Sequence, residues 1–77
     1  MKYTLEELMN YLVNEFHELF LEYGKHKIMI TPFDPKHYEV YVDDDTKEFS
    51  DIESLLNLEV DGQLLKEILP TVNVDIA

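Results

Sequence analysis

Three consecutive aspartates, Asp43 to Asp45, are the residues whose type and spacing best suit a metal ion. A calcium loop of the EF-hand type needs oxygen ligands at positions 1, 3, 5 and 12 and a glycine at position 6. Counted from Asp43, the pattern fails at three places, because Lys47, Glu48 and Ser54 stand at positions 5, 6 and 12. A looser divalent site made by Asp43, Asp45 and Glu48 is the alternative, and a solvated loop is the favoured interpretation.

The three histidines are the other candidate metal ligands. Zinc ligation on a helix pairs two histidines four residues apart, but Val13 and Leu21 stand at that distance from His17. His26 and His37 flank a predicted hairpin and can approach each other across it, yet two ligands without a third make a weak site. We therefore expect no metal site.

Catalytic chemistry has little support in the sequence. Ser50 and Ser54 are the only serines, and Ser50 is needed to cap a predicted helix. A phosphate-binding loop cannot form from Gly24 and Gly62, which are far apart and are the only glycines. Carboxylates on an exposed helix lack the cleft and the shifted pKa that acid–base catalysis needs. We expect no enzymatic activity, no cofactor and no small-molecule substrate.

Charge and composition exclude further classes of function. The chain has 77 residues, with 17 acidic side chains against 6 lysines and no arginine, and a formal net charge of -11. This balance argues against direct binding to nucleic acid or to an anionic membrane. The absence of cysteine excludes disulfides, thiolate metal sites and a cysteine nucleophile. Hydrophobic residues make up 45% of the chain, which is typical of a folded protein.

The sequence also bears on where the protein resides. Carboxylates follow almost at once after Met1, at Glu6 and Glu7, and no small-residue cleavage site is present, so we expect no signal peptide. No apolar run approaches the ~20 residues that a membrane span requires. We expect a cytoplasmic protein of bacterial or phage type.

The first segment predicts a long helix over residues 4–23. Its apolar residues recur every three or four positions from Leu5 to Tyr23. Thr4 and Glu7 form a capping box at its start, and Gly24 is placed to end it.

A β-hairpin is predicted next. Residues 27–33 form one apolar, β-rich run, and residues 38–43 alternate strictly between apolar and polar. The turn between them, 34–37, contains Pro35, and Pro32 should end the first strand or place it at an edge. We expect the apolar face of this hairpin to pack on the long helix.

The remainder predicts two short helices and a strand. Residues 43–48 are expected to be a polar loop, followed by a capping box from Ser50 to Glu53 and a helix. A second helix spans 63–69 and ends at Pro70, and residues 71–76 alternate as a strand. The predicted fold is therefore a single α+β domain over residues 1–77, with a long N-terminal helix packed on a small, mostly antiparallel sheet in the order α-β-β-α-α-β.

One face of such a sheet is left without the long helix. The favoured interpretation is that side chains of the two short helices cover it. Those residues are Leu55, Leu56, Leu64, Leu65 and Ile68. The alternative is a homodimer or a protein partner, bound through an apolar surface. The candidate residues of that surface are Tyr11, Leu21, Met29, Phe33 and Tyr41.

The favoured function is a non-enzymatic protein–protein interaction module. Most of the negative charge follows residue 37, so an acidic surface is the second candidate site. Its residues are Glu39, Asp43, Asp44, Asp45, Glu48, Asp51 and Glu53. In size and charge the chain resembles the short acidic inhibitors that mimic nucleic acid, such as anti-restriction and anti-CRISPR proteins. That alternative requires these carboxylates in one dense row, and an immunity protein for a basic toxin makes the same demand.

Overall fold

A capping box begins the first helix, as predicted. In the computed structural model, which describes all residues 1–77, helix α1 spans Leu5–Val13. The hydroxyl of Thr4 accepts a hydrogen bond from the Glu7 amide at 3.1 Å, and the Glu7 carboxylate accepts one from the Thr4 amide at 2.9 Å. The helix buries Leu8 and Leu12 against the sheet.

Replacing this cap should cost a measurable part of the stability. Thr4→Ala removes the acceptor for the Glu7 amide, so we expect the free energy of unfolding to fall by about 1 kcal/mol. Urea denaturation followed by circular dichroism measures the change. Glu6→Gln is the matched control, because Glu6 lies in the same first turn without a cap bond. An equal loss in both variants would contradict the role of Thr4.

The predicted long helix is wrong beyond Val13. Its second half is strand β1, Leu19–Tyr23, and the chain turns into it through Phe16, whose φ of +53° is left-handed. Residues 19–23 satisfy a helical period, but they also alternate, with Leu19 and Leu21 buried and Phe20 exposed. The strand conformation prevails over the helical one because β1 hydrogen-bonds to a strand on each side, which a helix could not do.

The complete element order is α-β-β-β-β-α-β-β-α-β, which corrects the predicted order. After β1 come β2 (His26–Asp34), β3 (His37–Val42), β4 (Asp45–Phe49), α2 (Ile52–Leu56), β5 (Glu59–Val60), β6 (Gln63–Leu64), α3 (Leu65–Ile68), a 3₁₀ turn (Leu69–Thr71) and β7 (Val74–Ile76). None of the helices is long and apolar enough to cross a membrane.

Three local predictions in the second half need correction. The supposed polar loop contains β4, an edge strand whose charged and polar side chains need no burial. Helix α2 is capped by Asp51 rather than Ser50, since its carboxylate accepts from the Ser54 amide at 2.7 Å. The predicted helix over 63–69 begins as strand β6, and only Leu65–Ile68 is α-helical.

The β2–β3 hairpin is confirmed, and a final strand forms over Val74–Ile76, the second half of the predicted 71–76. Asp34 pairs with His37 across the turn, and the Asp34 carboxylate accepts from the Lys36 amide at 2.7 Å. β2 ends two residues after Pro32, and at Pro32 it pairs only with Tyr38 of β3, because its pairing with β1 ends at Ile30. The edge position predicted for this proline is therefore confirmed. The pairing becomes irregular between Pro32 and Asp34, because proline offers no amide to the ladder. At the other end, β7 pairs antiparallel with β1.

Five of the seven strands form an antiparallel sheet in the order β4-β3-β2-β1-β7, and β5 and β6 form a separate pair. Alternate residues of its inner strands join one buried cluster with all three helices. The sheet contributes Leu19, Leu21, Ile28, Ile30, Tyr38, Val40 and Val74, and the helices and their flanks contribute Leu8, Leu12, Leu55, Val60, Leu65, Ile68 and Leu69. The protein is thus an α+β domain with a single core on one side of its sheet.

The opposite side of the sheet carries no helix. The prediction that the two short helices cover this face is therefore wrong. Leu55, Leu65 and Ile68 are buried in the same cluster as the α1 leucines, and the partly buried Leu56 packs there too. We call the uncovered side the open face. It consists of the residues that alternate with the buried set, centred on Phe20, Met29 and Tyr41.

Candidate functional site

Three large side chains lie side by side at the centre of the open face. Phe20 of β1 is paired with Met29 of β2, and Met29 is paired with Tyr41 of β3. Paired residues of antiparallel strands project to the same side, with Cβ atoms about 4.5–5.5 Å apart. The three side chains therefore form a continuous apolar strip across the inner strands, and Phe20 keeps 38% of its surface exposed.

The apolar strip forms the floor of an open depression of about 850 Å³. Residues at one edge of the sheet, Lys2 and the segment 71–73, form one wall of the depression. Charged groups surround the strip, with Asp75 opposite Phe20 and a Glu22–Lys27 pair in the adjacent row. The depression is open to solvent, whereas pockets for small molecules enclose most of their ligand.

A cluster of titratable groups lies beyond the other end of the strip. The Nε2 atom of His37 is 3.5 Å from a Glu39 carboxylate oxygen and 3.8 Å from one of Glu48. Glu39 and Glu48 are directly paired across β3 and β4. Tyr41 donates a hydrogen bond to the other oxygen of Glu39, which raises the pKa of the Tyr41 hydroxyl. Phe33 stacks on the His37 ring at a centroid distance of 4.8 Å.

A second histidine connects three turns at the opposite end of the hairpin. His26 follows the β1–β2 turn, and its Nδ1 lies 2.6 Å from Asp43 in the β3–β4 turn. Its Nε2 lies 2.9 Å from Asp61 in the β5–β6 turn. Asp43 and Asp61 both have left-handed φ values, of +54° and +52°, that aspartate tolerates better than most residues. We call this group the His26 cluster.

Charge interactions within the His26 cluster shift two pKa values. The hydrogen bond to Asp43 raises the pKa of His26, with Asp61 acting in the same direction and partial burial opposing them. The amide of Lys27 donates to Asp43 at 3.0 Å, and this bond, together with His26, lowers the pKa of the Asp43 carboxyl. Both shifts favour the charged forms of His26 and Asp43, and the cluster ties three turns together.

The structure divides the five residues of the predicted apolar surface. Met29, Phe33 and Tyr41 lie on the open face. Leu21 is 95% buried in the core and cannot contribute. Tyr11 packs on the helical side, edge-on to Tyr3 and His17. Leu21 was misplaced because the helical period of residues 19–23 hides their strand alternation, whereas Tyr11 lies in α1 as predicted, away from the open face.

The seven predicted acidic residues do not form one row. Glu39 and Glu48 lie on the open face, whereas Asp45 pairs with Val42 and points to the helical side. Asp51 and Glu53 belong to α2 on that covered side, and Asp43 and Asp44 lie in a turn. The dense exposed row that mimicry of nucleic acid requires is therefore not made by these residues.

The looser divalent site is not assembled either. Asp43 is bonded to His26 at one end of β3, and Glu48 lies by Glu39 toward the other end. His26 and His37 also stand at opposite ends of the hairpin, so they do not approach each other. The group of three metal-ligating side chains that does converge, His37, Glu39 and Glu48, was not predicted.

Phe20 is the main residue of the open face that sequence reasoning missed. The helical period placed it in the core, and the residues on either side of it, Leu19 and Leu21, are the buried ones. The alternation over residues 19–23 was the available indication. Whether this alternation indicates a strand depends on pairing with β7, some 55 residues further along the chain.

The fold and this site define a class: an α+β domain whose antiparallel sheet has one covered and one open face. No family model matches the chain, and neither a curated protein nor a solved structure matches it significantly.

Proposed function

We propose that the chain is a non-enzymatic interaction module that binds a basic protein through its open face. The observation that carries this proposal is the apolar strip of Phe20, Met29 and Tyr41, whose rim holds more carboxylates than lysines. Protein interfaces have an apolar centre enriched in aromatic residues and methionine, inside a polar rim. The strip and its rim match this arrangement.

The charge of the rim favours a basic partner over a second copy of the chain. Two lysines, Lys2 and Lys27, line the depression, but the carboxylates around the strip outnumber them: Glu18, Glu22, Glu39, Glu48 and Asp75. No lysine ammonium group lies within 4.0 Å of a carboxylate oxygen, so no lysine forms an ion pair with these carboxylates. Two copies facing each other would oppose like charges, which costs free energy, whereas a basic surface is attracted and steered.

The proposal predicts that binding depends on one of two equally exposed phenylalanines. Phe20 and Phe16 are 38% and 40% exposed, but only Phe20 lies on the open face. Phe20→Asn should weaken partner binding at least about 10-fold, since aromatic residues at an interface centre often contribute 2 kcal/mol or more. Immobilised protein would be used to capture partners from lysate, and the affinity of each purified partner would be measured by titration calorimetry.

Phe16→Asn is the matched control, because asparagine tolerates the left-handed backbone at residue 16. It should leave binding unchanged, and added salt should weaken the wild-type complex. A partner that binds both variants equally, or that lacks a basic contact surface, would contradict the proposal. Sedimentation is expected to show a monomer; a dimer abolished by Phe20→Asn would replace the proposed partner with self-association.

A further inference from the structure

Strand geometry brings together three side chains on the β3–β4 side of the open face, those of His37, Glu39 and Glu48. His37 and Glu39 are two residues apart on β3, so they project to the same side, and Glu48 stands directly opposite Glu39 on β4. One ligand atom from each of the three lies within 4.8 Å of the others. This convergence is built into the register of a hairpin rather than into a flexible loop.

The pairing of Glu39 with Glu48 is unfavourable without a cation. Like charges directly opposite each other on neighbouring strands destabilise a sheet. No lysine ammonium group lies within 4.0 Å of either carboxylate, and the only basic side chain at that distance is His37. Glu39 is also largely buried, with 17% of its side chain exposed, so water screens its charge less.

Neighbouring aromatic residues orient two of the three donors. The Phe33 ring stacks on His37 at an interplanar angle of 23°, which restricts rotation of the imidazole. Tyr41 donates to one oxygen of Glu39 and leaves the other oxygen facing His37. Hydrogen bonds of this kind, from an outer group to a ligating carboxylate, are typical of metal sites.

We propose that His37, Glu39 and Glu48 bind a divalent transition-metal ion, with Zn²⁺ as the representative ion. One imidazole and two carboxylates suit such ions better than Ca²⁺ or Mg²⁺, which take oxygen ligands. Ligands of tetrahedral zinc, at bond lengths near 2.1 Å, lie about 3.4 Å apart. The distances of 3.5 and 3.8 Å from His37 are close to this value. Glu48, which is 69% exposed, can move to complete the site, and water occupies the fourth position.

The His26 cluster shows why a histidine between two carboxylates is not enough. There the two aspartates contact different ring nitrogens, Nδ1 and Nε2, on opposite sides of the imidazole. A single ion cannot reach all three groups. At His37 both carboxylates face the same nitrogen, which leaves one point within reach of the three donors.

The test uses Zn²⁺ alone on the full chain after removal of metals with a chelator. Titration calorimetry should give one saturable site, and Zn²⁺ should raise the unfolding temperature. Glu48→Gln, an exposed change, should weaken Zn²⁺ binding at least about 10-fold while leaving the metal-free protein as stable or more stable, because it removes the repulsion with Glu39. Tyr41→Phe should also weaken binding, by about 10-fold, while keeping the apolar strip intact.

Matched controls separate the site from general attraction of cations to an acidic protein. Glu53→Gln removes one exposed carboxylate elsewhere, and His17→Asn removes a histidine that has one glutamate neighbour, Glu15, and a hydrogen bond to Ala77. Neither should change the affinity for Zn²⁺. Absence of saturable binding, or equal weakening by Glu53→Gln and Glu48→Gln, would overturn the site. The two proposals share Glu39 and Glu48, but their failures are distinguishable: the interaction test compares Phe20→Asn with Phe16→Asn, and the metal test measures Zn²⁺ affinity.

Discussion

Ile30→Ala is expected to lower the free energy of unfolding by about 2–5 kcal/mol, the largest effect that we predict. Ile30 is fully buried in the middle of β2 and lies between Leu19 and Val40 on the neighbouring strands. Its truncation leaves a cavity at the centre of the sheet that the hydrogen-bonded backbone cannot close. A chain of 77 residues has a total stability of about 4–12 kcal/mol, so this one change removes a large part of it.

Urea denaturation at 25 °C measures the loss, with Met29→Ala as the matched control. Met29 precedes Ile30 on the same strand, but its side chain lies on the open face and is only partly buried. Its truncation should cost clearly less, because part of the side chain already contacts water. Equal losses at the two positions would mean that the sheet has no open face, and the proposed function would fail with it.

Loss of the His26 cluster is expected to have the second large effect on the stability of the fold, and this effect depends on pH. The pKa of His26 is raised above 6.5 in the folded protein by Asp43 and Asp61. The charged histidine therefore stabilises the fold fully below pH 6.5, and this contribution is lost as the pH rises through the raised value. The pKa of Asp43 is lowered from 3.8, so its contribution is present above pH 3.8 and is lost as the pH falls through the lowered value.

The contribution of the cluster should therefore be greatest between about pH 4 and pH 6.5. Thermal unfolding would be followed from pH 3 to pH 9 for the wild type and for Asp61→Asn, which keeps a residue that tolerates the left-handed backbone. The difference between their unfolding temperatures should be largest inside that window and should shrink above it.

Asp44→Asn is the matched control for the pH experiment. Asp44 is an exposed neighbour of Asp43 in the same turn and makes no side-chain hydrogen bond. The variant changes the net charge by the same amount, so it reports the general repulsion in a protein of net charge -11. If Asp44→Asn and Asp61→Asn gave the same pH profile, His26 would have no specific role in joining the turns.

Features with local causes were predictable from the sequence. The capping box of Thr4 and Glu7 spans three residues and depends only on hydrogen bonds within one turn. The turn from Asp34 to His37 follows from a proline and from an aspartate that accepts a hydrogen bond two residues on. The two faces of the hairpin follow from alternation of side chains, which alone predicts that Met29 and Tyr41 share a face.

Features that depend on pairing between distant segments were not predictable. Residues 19–23 fit both a helical and a strand period, and the second prevails because β2 and β7 supply hydrogen bonds on both sides. The His26 cluster joins residues 17 and 35 positions apart in the chain. The His37 group arises because β4 places Glu48 opposite Glu39, and β4 itself was expected to be a loop.

The sequence by itself determined an acidic α+β domain, the start of its first helix, its central hairpin and the presence of a last strand, but not where that strand begins. Only the tertiary structure decided where the first helix ends, which face of the sheet stays open and which carboxylates a histidine meets. The physical reason is that helix caps and turns are stabilised within a few residues. Strand pairing, in contrast, is stabilised by hydrogen bonds and burial between segments whose distance in sequence carries no local pattern.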